Sequence, residues 1–106
     1  MKAKPLKLIY GVGYEDCDVS EATHVKIRVP GPSGIVIIPV MLKGRREGTG
    51  NWTWNGDTEK PTLHPSVLTS SSNFRCHSWI NDGEVKFLND CSHDFAGKTL
   101  SLLNII

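Results

Sequence analysis

The sequence has no excess of charge of either sign. Twelve Lys and Arg stand against eleven Asp and Glu, a net charge of +1 with neutral histidines. Mixed as they are, these charges form neither a footprint for nucleic acid nor a patch for an anionic membrane. Long hydrophobic runs are also missing. The longest, Ile35 to Leu42, is broken by Pro39 and falls far short of the ~20 residues that a membrane-spanning helix needs. Cysteine is scarce: Cys17, Cys76 and Cys91 make an odd number, with no C-x-x-C spacing. That argues against a disulfide framework and for a reducing compartment, so a cytoplasmic location is expected. The opening MKAKPLKLIYGVGY carries lysines but no adequate apolar core before its glycines, and does not read as a signal peptide. No repeat, low-complexity tract or sustained helical period is present.

What remains is a 106-residue chain expected to fold as a single domain, 1–106, around a modest core. HVKIRV (24–29) alternates Val25, Ile27 and Val29 with His24, Lys26 and Arg28, the pattern of a half-buried strand. VPGPSG (29–34) reads as a turn and IVIIPV (35–40) as the return strand, with Pro39 at a sheet edge or a strand end. KGRREG (43–48) reads as a solvated basic loop. NWTWNGD (51–57) puts Trp52 and Trp54 on one face and then turns at Asn-Gly. EKPTLHPSVL (59–68) holds two prolines and becomes a regular strand only from Ser66 to Leu68, before the mobile loop TSSSN (69–73). SHDFAGK (92–98) predicts one helical turn, with Ser92 as its cap and Gly97 as its stop, and TLSLLNII (99–106) a closing strand. The fold class expected is mostly β: a small antiparallel sandwich or a partly open barrel, with at most one short helix.

The densest chemistry lies in RCHSWINDGEVKFLNDCSHDFAG, residues 75–97. Taking Asp82-Gly83 as a two-residue hairpin loop pairs Asn81 with Glu84, Ile80 with Val85, Trp79 with Lys86, Ser78 with Phe87 and His77 with Leu88. Side chains alternate faces. Cys76, Ser78 and Ile80 then share one face, and His77 and Trp79 the other. Asp90 becomes the diagonal neighbour of His77, about 7 Å away along the sheet and within reach of a His–carboxylate hydrogen bond. Such a carboxylate fixes the tautomer of a general base. Ser66, Ser78, Ser92, Cys76 and Cys91 are the candidate nucleophiles; alternation argues against Ser78. A zinc reading uses His77, Asp90 and His93, with Cys76 or Cys91 as a further ligand. Each residue also has a plain structural use: cysteine as a small buried hydrophobe, tryptophan as core.

WTWNGDTEKPTLHPSVL and CHSWINDGEVKFLNDCSHDFAGKTLSL together resemble a family of small bacterial and phage proteins. Its blocks run W-x-[FW]-N-G-D, P-T-x-x-P-S, C-H-x-x-[IV]-x-D-G and D-[CS]-[ST]-H-x-[LF]-A-G, and the likeness covers about residues 52 to 102. Phage members are often mislabelled "ammonia monooxygenase", an activity this chain lacks the membrane spans and multi-histidine copper sites to support. Some relatives are encoded beside bacterial ubiquitin-like proteins and their E1- and E2-like enzymes. The resemblance therefore implies a serine-type peptidase acting on the tail of a ubiquitin-like modifier, in the host cytoplasm if phage-encoded. Carried onto this sequence, its polar positions are Asn55, Asp57, Thr62, Ser66, Cys76, His77, Asp90, Ser92 and His93, and they favour Ser66 as nucleophile. Many relatives carry a C-P-x-C turn where this chain has Val29 and Pro32, which casts doubt on a zinc knuckle at that point.

The leading expectation is thus a hydrolase in which Ser66 attacks, His77 is the base and Asp90 orients it. Asn55 or the amides near Gly56 would serve the oxyanion, with Asp57 and His93 as supporting or alternate groups. Its partner would be a ubiquitin-like protein or another host or phage protein, and its cofactor none. The alternatives are a zinc hydrolase built on His77, Asp90 and His93, or a non-catalytic phage accessory protein that binds a host factor.

Overall fold

The computed structural model describes residues 1–41 and 51–105; the basic run 43–48 lies outside them. The strands are β1 (Ala3–Ile9), β2 (Gly13–Asp16), β3 (His24–Val29), β4 (Gly34–Met41), β5 (Trp52–Trp54), β6 (Leu63–Ser70), β7 (Arg75–Asn81), β8 (Glu84–Phe87) and β9 (Thr99–Ser101). They form one sheet in the order β2-β1-β3-β4-β5-β6-β7-β8-β9. Every adjacent pair is antiparallel except β4–β5, which is parallel. The sheet curls into an open half-barrel, the second of the two architectures expected. The segment after β9 reaches back across the opening: Leu103 N–H donates to Arg28 O on β3, and Ile105 N–H to Met1 O.

Alternation decides what fills the curl. Val25, Ile27 and Val29 of β3 point inward and are buried, while His24, Lys26 and Arg28 face out. Trp54, Leu63, Ile80, Val85 and Phe87 complete the same core, burying apolar area worth about 25 cal/mol per Å². Asp82 and Gly83 both take positive φ, 53° and 78°, as a type I′ hairpin turn requires. The resulting register is the one derived from that loop, from Ser78↔Phe87 to Asn81↔Glu84.

Some expectations needed correction. Lys-rich β1 and exposed β2 were not anticipated; β1 hides only Ala3, Pro5 and Leu6. Strand β4 is an inner strand, and Pro39 is tolerated because pairing with β5 starts only at Val40. Strand β6 begins at Leu63 rather than Ser66, and absorbs Pro65 in a register shift between Leu63 and Val67. Thr69 and Ser70 belong to β6, and residues 71–73 make a tight turn closed by Ser71 N–H donating to Phe74 O. Residues 92–97 form successive turns instead of a helix. Ser92 caps nothing there: its Oγ accepts the Arg75 N–H at 2.7 Å.

Candidate active site

His77 sits at the middle of β7, half-buried and facing outward. Its cross-strand partner on β6 is Leu68. On the other side Leu88 N–H donates to His77 O at 2.9 Å. Ser66 lies two residues before Leu68, and Asp90 two residues after Leu88. Because neighbouring strands run in opposite directions, these two groups fall on opposite diagonals of His77. The imidazole spans them lengthwise. Ser66 Oγ is 2.9 Å from His77 Nε2, and His77 Nδ1 is 3.1 Å from Asp90 Oδ2. Both are within hydrogen-bonding range.

Several groups hold this arrangement. Arg75 donates to the same carboxylate oxygen from Nε at 3.2 Å and from Nη2 at 3.0 Å. The N–H groups of His77, and then of Arg75, hold the Asp90 carboxyl below its ordinary range. Cys91 grips the backbone of His77 from behind: its Sγ accepts the His77 N–H and donates to His77 O, each at 3.1 Å. Trp52 Nε1 donates to Ser66 O at 3.3 Å. These three supports were missed at sequence level. The hairpin register, carried two pairs past His77 and Leu88, places Arg75 directly opposite Asp90, so that contact was available. The roles of Cys91 and Trp52 depend on the turns around them and carried no such signal.

The other anticipated residues are used differently. Asn55 closes the 55–62 loop: its Oδ1 accepts the N–H groups of Asp57 and Thr62, and its Nδ2 donates to Lys60 O. Asp57 Oδ1 accepts the N–H groups of Glu59 and Lys60, and these bonds, Lys60 first, hold its carboxyl below the ordinary range. The zinc set His77, Asp90 and His93 does not assemble. His93 packs edge-on against Phe87 and Phe95, and among the described residues the trio of ligand atoms that gathers is Cys76, Cys91 and His93. Cys76 and His77 point to opposite faces, as strand alternation requires.

Two surface clefts meet at His64, two residues before Ser66 on β6. One, of about 400 Å³, is walled by His64, Trp79, Asn81, Glu84, Lys86 and Thr99. The other, of about 590 Å³, runs past Thr53, Asn55, Gly56 and Thr62. Ser66, His77 and Asp90 line neither cleft; His64 is the lining residue nearest to Ser66 along the chain. No helix among the described residues is long and apolar enough to cross a membrane.

Comparison with curated proteins and with solved structures gave no match. A family model does match, over residues 34–88, just over half of the chain. It describes the bacterial ubiquitination-like system serine protease (BubE). The matched span contains Ser66 and His77 and ends two residues short of Asp90. A serine, a histidine and a carboxylate in hydrogen-bonded sequence fit that description, and this chain belongs to the BubE family.

Proposed function

We propose that the chain is a serine peptidase that hydrolyses the bond following the C-terminal tail of a ubiquitin-like modifier. The observation that carries this reading is the linked geometry of Ser66 Oγ, His77 and Asp90, at 2.9 and 3.1 Å on the outward face of the sheet.

Ser66 Oγ–H donates to His77 Nε2, and His77 Nδ1–H donates to Asp90. Attack on the scissile carbonyl moves the Ser66 proton to Nε2, and Asp90 stabilises the imidazolium that forms. Collapse of the tetrahedral adduct breaks the bond to the leaving amine, which takes the proton from Nε2. An ester joins the tail to Ser66. Water then attacks that ester, again giving its proton to His77, and Ser66 is restored. Arg75 fixes the carboxylate in its ionised form throughout. The family's place in a ubiquitination-like system supports a modifier tail as substrate, and the clefts on either side of His64 supply room for it.

The test is cleavage of a cognate ubiquitin-like protein carrying a C-terminal extension, followed by mass spectrometry. Wild-type chain releases the extension, while Ser66→Ala and His77→Ala each lose at least about 1,000-fold in rate and keep the wild-type circular dichroism. A fluorophosphonate probe labels the wild type at Ser66 and leaves Ser66→Ala unlabelled. Full activity in both variants would end the serine mechanism.

A further inference from the structure

Behind the face that carries Ser66 and His77, one ligand atom from each of Cys76, Cys91 and His93 lies within 4.8 Å of the other two. Both cysteines are buried, and neither is in a disulfide. The imidazole of His93 is wedged between Phe87 and Phe95, with ring centroids 5.0 and 5.8 Å away. Its Nε2 is buried and meets no hydrogen-bond partner. A buried ring nitrogen without a partner is an exception that asks for a cause, and its residue belongs to a cluster with two cysteines.

We propose that Cys76 Sγ, Cys91 Sγ and His93 Nε2 bind one zinc ion. Tetrahedral zinc, about 2.3 Å from sulfur and about 2.0 Å from nitrogen, sets its ligand atoms roughly 3.5–3.8 Å apart. With every separation within 4.8 Å, no pair of the trio has to close by more than about an ångström to meet that geometry. Ser33 Oγ and Thr69 Oγ1 are hydrogen-bonded to each other at 2.7 Å, and both also reach the Cys76 thiol. They stand ready to hold a water in the fourth position.

Binding displaces the protons of the two thiols. Cys91 then gives up its S–H bond to His77 O and keeps the N–H bond that it accepts from His77. On His93 the ring proton shifts to Nδ1, at the expense of the 3.3 Å contact from Phe95 N–H. The ion is a structural clasp. It ties β7 to the turn after Asp90, the two segments that hold His77 and its carboxylate, and it takes no part in the hydrolysis. The site replaces the zinc set expected from sequence, and it does not depend on the serine mechanism.

The experiment is cobalt titration of the full chain after removal of bound metal, followed by zinc competition and, separately, metal analysis of protein purified without chelator. The expected result is a thiolate-to-cobalt charge-transfer band that saturates at one equivalent and is abolished by zinc. Losing a partner beyond the ligands already costs about 10–100-fold in metal affinity, so His93→Gln should weaken binding at least that much. Cys76→Ser should remove most of the band, and Cys17→Ser should leave it unchanged. Circular dichroism of each variant separates loss of metal from loss of fold, and His93→Gln serves if Cys76→Ser does not fold. A stripped chain that refolds only on adding zinc also supports the site. A folded wild-type chain with no band at one equivalent overturns it, as does a band undiminished in folded His93→Gln or lost in folded Cys17→Ser.

Discussion

Asp90→Asn is the most informative single change. Asp90 Oδ2 accepts three N–H donors, Arg75 Nε, Arg75 Nη2 and His77 Nδ1, at 3.2, 3.0 and 3.1 Å. An asparagine oxygen in that place can still accept from all three donors, but it is neutral, so the imidazolium formed on attack loses its counter-charge. Turned the other way, the amide NH₂ faces His77 Nδ1, which must accept; the ring proton is then driven to Nε2, where it points at Ser66 Oγ, and the base is lost. In a buried triad that tautomer error costs about 10⁴ in kcat. The Asp90 side chain is 45% exposed, so water can partly replace it, and the expected loss is smaller, roughly 100- to 1,000-fold in kcat. KM should hardly move, since Asp90 does not touch the substrate. The assay is steady-state cleavage of the extended modifier, with thermal melting to show that the exposed substitution leaves the fold intact. A variant within about threefold of wild-type kcat, set beside an inactive Ser66→Ala, would refute the orienting role of Asp90.

Other substitutions probe the supports. Arg75→Ala should lower kcat several-fold and make stability less dependent on pH below about pH 4. The carboxyl of Asp90 is held below its ordinary value, so the stability it contributes is complete above about pH 4 and is lost as pH falls through the folded value. Without Arg75 that folded value moves back up toward the ordinary one, so part of the contribution is already missing at neutral pH, and urea midpoints should fall less between about pH 4 and pH 2 than in wild type. Trp52→Phe removes the 3.3 Å bond to Ser66 O. It should cost about 0.5–1.5 kcal/mol in urea unfolding together with a measurable drop in kcat; unchanged kcat would mean that Ser66 is placed by other contacts. Phe87 is 1% exposed, and Phe87→Ala should cost about 3–5 kcal/mol. A loss under about 1 kcal/mol would show that the site collapses around the deletion.

The legible part of this molecule was the part governed by short-range rules. Asp82-Gly83 fixes a two-residue turn, the turn fixes the register, and the register sets Asp90 diagonal to His77. The strands β3 and β4 were equally readable from Val25, Ile27 and Val29 and the β-branched return. Strand β1 was not, because Lys4, Pro5 and Lys7 blur its alternation and its burial depends on residues far along the chain. Strand β6 was half readable: two prolines argued against regular pairing, and the structure meets that objection with a register shift. His93 was misplaced because its position follows from the turns of residues 92–97 and from packing against Phe87 and Phe95. No periodicity reports such packing.

The strict two-residue alternation of β7 sorts its positions by purpose. Cys76, Ser78 and Ile80 are sunk in the interior, while Arg75, His77 and Trp79 look out toward solvent. Along this one strand, the odd positions meet solvent and substrate while the even positions set how firmly that face is held. The same division leaves an engineer free to rebuild what the protein recognises without reopening the question of whether it holds together.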